Sequence, residues 1–303
     1  MEVAMYVVTG ATGHTGNVVA KALLTKGEQV RVVGRSADRL KALVAQGAEP
    51  FAADLTDAAA AAKAFAGAKA VYVMMPPNIA SPDSRAFQNR VTDAIVAALQ
   101  SAGTTHVVTL SSVGADKPEK TGPVVGLHYL EQQLNNIGNL NVLHLRAGYF
   151  MENTLAQIGI IRGTGMTVGP LRPDLKLSMI ATEDIGEAAA NALLSLDFRQ
   201  KQTRELLGQR DVSMTEVAQI IGRAIGKPDL RYTQAPDEQV RPALIQLGMS
   251  SNMADLLLEM SAALNSGHMR ALEPRSVQNT TPTSYETFVQ EEFLPLYEGR
   301  SAA

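Results

Sequence analysis

The sequence predicts an α/β fold: a doubly wound parallel sheet followed by a smaller, mostly helical C-terminal lobe. Three observations predict it. Short apolar runs alternate with helical patterns through the first half of the chain. Most of those runs lack the polar alternation of half-exposed strands, as expected of parallel strands covered on both faces. A glycine-rich turn joins the first run to the first helical pattern.

The first apolar pattern begins at Val3, and its strand is placed over Met5–Thr9. The turn Gly10-Ala11-Thr12-Gly13-His14-Thr15-Gly16 follows, then a helix to Lys26. Further strands are expected at Gln29–Val33, Glu49–Ala52, Ala70–Met74, Thr105–Leu110 and Asn141–Leu145. Helical patterns occupy Ala37–Gln46, Asp57–Phe65, Ser84–Ala102 and Val125–Asn136. A crossover helix after each strand implies right-handed connections, and such sheets bind ligands beyond the carboxyl ends of their strands.

The second half is less regular. A strand at Lys176–Ile180 leads into a helix opening Ala181-Thr182-Glu183-Asp184, with Thr182 as its N-cap and two acids at its positive end. A short strand is expected at Thr203–Leu207. Ser213 with Glu216 three residues later reads as a capping box, opening a helix over Thr215–Ile225 that Gly226-Lys227-Pro228 ends. Helices at Asp237–Leu247 and Asn252–Leu264, a loop at Gln278–Pro282 and a short helix at Ser284–Phe293 complete the chain.

Composition narrows the function classes. A chain of 303 residues, 46% hydrophobic and 19% charged, can bury a large core. A net charge of −3 gives no reason to expect nucleic acid or an anionic membrane as partner. With no cysteine, disulfides and thiolate metal sites are excluded. The five histidines form no ligand pair at helical spacing, so no metal is expected. No apolar run is long enough to span a membrane, and the first strand starts too early for a signal peptide. The expectation is a cytoplasmic protein, monomeric or homodimeric.

A strand, a Gly-rich turn and a helix together hold a dinucleotide pyrophosphate. Gly10 turns the chain off the strand, Gly13 lets backbone approach the phosphates, and Gly16 lets the helix pack closely. The phosphates meet the helix's unpaired N–H groups, with Thr12, His14 and Thr15 on the same turn. Sites that prefer NAD place an acid after the second strand to bind the ribose hydroxyls. This chain has Gly34-Arg35-Ser36 there. A guanidinium pairs with a 2′-phosphate, so NADP(H) is preferred over NAD(H). Asp54 and Leu55, after the third strand, suit the adenine amino group and ring; alternatively Asp54 or Thr56 caps the next helix. Met75 and Pro76 end the fourth strand beside the expected cofactor ribose. A hydroxyl of Ser111-Ser112, after the fifth, is in reach of the nicotinamide ribose or an acceptor oxygen, or else these serines cap or turn the chain.

These pieces resemble the NmrA-like branch of the atypical short-chain dehydrogenases. The likeness rests on the Gly10–Gly16 turn, Gly34-Arg35, Asp54-Leu55, the stretch Leu145-Arg146-Ala147-Gly148-Tyr149-Phe150-Met151-Glu152-Asn153, and Ala181–Gly186. The resemblance implies a Rossmann domain over residues 1–150 holding NADP(H), and a substrate lobe over 151–303 with some segments returning to the sheet. It implies that Gly148, Tyr149 and Phe150 lie beside the nicotinamide. Helices bearing Met249, Met253 and Met260 are candidates to line an apolar cleft. The wider superfamily pairs a Tyr with a Lys four residues on; here Tyr129 is followed at that offset by Gln133. His128 and Tyr129 are therefore the candidate proton-transfer residues, His128 the better of the two. Two functions follow: a reductase that passes hydride from NADP(H) to a quinone-like or other conjugated acceptor, apolar or aromatic, or a non-enzymatic NADP(H)-sensing regulator.

Overall fold

The computed structural model describes residues 5–300, so Val3 and Ala4 of the first apolar pattern lie outside the described residues. Strands β1 (Met5–Thr9), β2 (Gln29–Gly34), β3 (Glu49–Ala52), β4 (Ala68–Val73), β5 (His106–Ser112) and β6 (Asn141–Ala147) form the expected series. Helices α1 (His14–Thr25), α2 (Lys41–Val44), α3 (Ala58–Phe65), α4 (Ser84–Ala102) and α5 (Val125–Asn135) alternate with them. Beyond residue 148 lie β7 (Tyr149–Phe150), α6 (Gln157–Thr164), β8 (Thr167–Gly169), β9 (Lys176–Ile180), α7 (Thr182–Ser195), β10 (Lys201–Leu206), β11 (Asp211–Ser213) and α8 (Met214–Ala224). Strand β12 (Tyr232–Gln234) and helices α9 (Asp237–Gln246), α10 (Ser251–Ser266), α11 (Tyr285–Phe288) and α12 (Leu294–Tyr297) follow. No described helix is long and apolar enough to cross a membrane.

The main sheet has seven strands in the order β10-β6-β5-β4-β1-β2-β3. All its pairs are parallel. Alternating residues of each strand serve two apolar layers. On one face Tyr6, Val8, Tyr72, Leu143 and Leu145 pack with Val19 and Leu23 of α1 and Ile185, Ala189 and Leu193 of α7. On the other, Val7, Val71, Val73, Val107 and Val142 pack with Phe65 of α3, Val91 and Ile95 of α4 and Leu130 and Leu134 of α5. The seventh strand and α7 come from the second half of the chain. A separate core of Met151, Leu177, Met179, Val217, Ile221, Tyr285, Phe288 and Phe293 builds the smaller lobe.

Four local expectations are corrected. The stretch Ala37–Gln46 is a 3-10 turn at Asp38–Leu40 followed by the four-residue α2. Neither Asp54 nor Thr56 caps α3. Asp57 does, accepting from the Ala59 and Ala60 amides at 2.9 and 3.1 Å. Thr182 is the first residue of α7, not its cap; the Glu152 carboxylate accepts from its N–H at 2.7 Å and from its hydroxyl at 2.5 Å. The last helix passes Phe293, through a π turn at Val289–Phe293 into α12. The Ser213–Glu216 capping box forms as expected.

Candidate functional site

The turn after β1 is shaped by its glycines. Gly10 has φ +62°, a conformation L side chains rarely adopt. Its carbonyl accepts from the Gly13 N–H at 2.9 Å, closing the turn. A Cβ on Gly16 would lie 2.4 Å from that same carbonyl oxygen, so the first turn of α1 presses on the loop itself. Tyr72 donates its hydroxyl to Thr15 Oγ1 at 3.0 Å, fixing α1 to β4 beneath; burial raises the Tyr72 pKa. Thr9 ties β1 to the end of β4 by donating to the Tyr72 carbonyl and accepting from Met74 N–H.

The positive end of α1 is uncommitted. Its N-cap is Gly13, no side chain caps it, and no acid stands in its first turn. The amides of His14, Thr15 and Gly16 have no acceptor among the described residues. Such an end favours an anion. The Gly13 amide is spent within the turn, so Gly13 acts by lacking a side chain: a Cβ there would stand 3.3 Å from Gly10 O.

The end of β2 adjoins this turn. A Cβ on Gly34 would touch the Thr12 methyl at 3.4 Å. Arg35 next to it is exposed and makes no ion pair among the described residues, and Ser36 is half-buried. Met75 and Pro76 are half-buried just past β4. Asp54 accepts from the Thr56 N–H and hydroxyl, both at 2.9 Å, and Leu55 is packed into the core.

A cleft of about 480 Å³ opens at the carboxyl ends of β5 and β6. Ser112, Val113, Gly148, Tyr149 and Phe150 form one wall. Asn153, the strand segment Leu175–Ser178 and Asp211 form the second, and Met260, Leu264, Met269 and Arg270 the third. Gly148 is required by packing, since a Cβ there would lie 2.2 Å from the Ser178 carbonyl oxygen. Burial lifts the Tyr149 pKa to about 12, so its phenol stays neutral. Of the three methionines expected at the cleft, Met260 lines it and Met249 and Met253 do not; Met269 does.

The structure places the remaining candidates elsewhere. Ser111 is buried and donates its hydroxyl to Glu131 Oε1 at 2.6 Å; Ser112 lines the cleft instead. Strand parity carries that signal, because Ser111 shares a face with Val107 and Ser112 with Val108. Tyr129 donates to Asp93 on the outer surface of α4, a bond that raises its pKa. It does not line the cleft. His128 Nδ1 bonds the Ala115 carbonyl at 2.8 Å and the ring also lies outside the lining.

Beneath α5 a polar seam holds the end of β6. Glu131, 3% exposed, takes the Arg146 Nε at 3.0 Å and Nη2 at 2.6 Å, besides Ser111. Next to it, His144 Nδ1 meets Thr109 Oγ1 at 2.8 Å and Nε2 meets Asn135 Oδ1 at 3.0 Å. Burial lowers the His144 pKa to about 4. Arg146 thus anchors the strand that delivers Gly148 to the cleft.

A second cleft, about 820 Å³, lies between the N-termini of α1 and α7 and the last helices. His14, Glu152, Glu183, Glu291 and Glu292 line it. Burial, then the neighbouring Glu152 and Glu183, raise the Glu292 pKa.

The model of the NmrA-like family matches residues 4–294. The chain belongs to the NmrA-like family. Among the curated relatives of this NmrA-like chain is an NAD(P)H azoreductase of Xenophilus azovorans, 30% identical over 260 residues, which are 85% of this chain and 86% of that one. Quinone oxidoreductase 2 of Escherichia coli (strain K12) is 27% identical over 269 residues, 87% of this chain and 89% of the relative. Among solved structures, the Citrobacter triphenylmethane reductase complexed with NADP(H) superposes with a TM-score of 0.78 at 21% identity, covering 95% of this chain and 99% of that one. This last likeness concerns the fold of the NmrA-like chain.

Proposed function

We propose that this chain is an NADP(H)-dependent reductase that passes hydride to a quinone-like or other conjugated acceptor. The observation that carries the reading is the uncommitted N-terminus of α1. Three free amides, a glycine at the cap and no acid in the first turn fit a pyrophosphate. The relatives named as azoreductase and quinone oxidoreductase support the reductase reading over the regulatory one.

Bound NADPH supplies hydride, and with one proton from water a quinone becomes its hydroquinone. The residues of this chain do the holding. His14, Thr15 and Gly16 offer amides to the pyrophosphate, and Thr12 stands beside them. Arg35 and Ser36 meet the 2′-phosphate. Asp54 serves the adenine edge, while Met75 and Pro76 flank a ribose. Gly148, Tyr149 and Phe150 bring one cleft wall to the nicotinamide. The acceptor sits against Val113, Leu177 and Met260. No histidine or Tyr–Lys pair lines that cleft, so its contribution is positioning, with the proton taken from solvent.

The test is a thermal-shift comparison of NADPH with NADH, together with NADPH oxidation across a panel of quinones and azo dyes. NADPH is expected to stabilise the fold more than NADH, because only it carries the phosphate that Arg35 pairs with. Arg35→Ala is expected to cut the NADPH-to-NADH affinity ratio about tenfold, the loss of one charge-assisted contact of about 1.4 kcal/mol. Equal stabilisation by both nucleotides would remove the phosphate preference. Tight NADPH binding without turnover of any acceptor would remove the reductase reading.

A further inference from the structure

We propose that the acceptor cleft selects aromatic acceptors bearing an anionic group, such as a sulfonate or carboxylate, and that Arg270 is the residue that reads it. The inference deepens the reductase reading and rests on it for the ligand's identity as acceptor. Most of the cleft lining is apolar: Val113, Phe150, Leu177, Met260, Leu264 and Met269. It holds three side chains of ionic type, Lys176, Asp211 and Arg270. Two have carboxylate or guanidinium partners. Asp211 is paired with Arg275, and Lys176 stands 3.8 Å from Glu216. Arg270 has no carboxylate partner among the described residues; its one hydrogen bond goes to the Gly267 carbonyl at 3.5 Å.

The backbone around Arg270 is fixed from both sides. On one side Met269 is 5% exposed and packs against the Gly114 backbone, while its N–H donates to the Ala263 carbonyl at 3.0 Å. On the other, the buried Glu205 of β10 accepts from the Leu272 N–H at 3.0 Å and the Glu273 N–H at 2.9 Å. Arg275 then ties the segment to the Leu207 and Gly208 carbonyls. A planar guanidinium on a fixed backbone, at the edge of an apolar aromatic-sized cleft, matches an oxyanion on a flat ligand. Holding the strap in advance lowers the ordering cost of that contact.

The experiment measures binding of 8-anilinonaphthalene-1-sulfonate and of its uncharged analogue N-phenyl-1-naphthylamine by fluorescence, with NADP+ present. Turnover of 1,4-naphthoquinone-2-sulfonate and 1,4-naphthoquinone is measured alongside. The sulfonated probe is expected to bind the wild-type protein more tightly than the neutral one. Arg270→Gln is expected to weaken the sulfonated probe at least tenfold and the neutral one less than twofold, with Arg270→Lys between. The same variant is expected to raise KM for the sulfonated quinone by a larger factor than KM for the plain quinone. Parallel weakening of both probes, or a wild-type protein indifferent to the sulfonate, overturns the proposal. The binding arm needs no turnover. A protein that discriminates the probes through Arg270 but reduces neither quinone keeps the anion site and loses the reductase reading instead.

Discussion

The turn after β1 and the cleft beyond β6 are both narrow places fixed by glycine, yet they are built differently. In the turn, Gly13 and Gly16 press on the Gly10 carbonyl within seven residues, and the contacts that fold the loop on itself are local, although Tyr72 of the neighbouring strand and Met74 just past its end brace it from below. In the cleft, Gly148 presses against Ser178, thirty residues away in sequence, and the facing wall comes from α10 and the strap beyond it. A local device announces itself as a motif. A device assembled from distant segments depends on which faces of those segments meet. The turn is made of backbone donors, suited to a constant group such as pyrophosphate. The cleft is made of side chains, suited to a ligand that varies within a family.

The sharpest way to break the contrast is to remove the anchor of the cleft wall. Glu131→Ala strands the partly buried Arg146 guanidinium and the Ser111 hydroxyl, and a loss of about 3 kcal/mol in unfolding free energy is expected by denaturant titration. A loss under 1 kcal/mol would mean that Arg146 reaches water and that the wall stands without it.

A pair of glycine variants compares the regions directly. Gly16→Val pushes α1 off its own loop, and NADPH affinity measured by calorimetry is expected to fall at least a hundredfold. Gly148→Val pushes β9 from β6; it is expected to abolish acceptor turnover while NADPH affinity stays within tenfold. Loss of NADPH binding in both variants would show that the two regions act as one unit.

The smallest expected effect concerns pH. The unfolded His144 titrates near pH 6.5, whereas in the folded protein burial holds its pKa to about 4. A histidine with a depressed folded pKa favours the folded state fully above pH 6.5. That contribution fades as pH falls from 6.5 toward 4. The unfolded chain binds the extra proton in this window, so stability drops by about 2 kcal/mol from pH 7 to pH 5. His144→Gln is expected to flatten that part of the profile in chemical denaturation at several pH values. An unchanged slope would assign the acid sensitivity to other groups.

What the sequence discloses follows the same division. Strand β1 and helix α4 lie at their expected residues, because a continuous apolar run and a long helical period are local signals. Strands β7, β8, β11 and β12 escape notice, since two or three residues carry no period. On α5, His128 and Tyr129 sit side by side in sequence but about a hundred degrees apart around the axis. Neither reaches the cleft. The cations of the cleft, Lys176 and Arg270, are ninety-four positions apart, and only the packing of α10 against the rest brings them to one cleft.

The return of the chain to its own sheet also governs how the molecule comes apart. Helix α7 covers Tyr72, Val8 and Leu143, and β10 guards the edge of β6. A protease cut near residue 150 therefore separates nothing. A fragment ending there would leave one face of its sheet stripped of α7, with an open edge inviting other chains. Limited digestion is thus expected to yield a nicked protein whose halves stay together until both unfold, and a gene truncated at that point to yield aggregate.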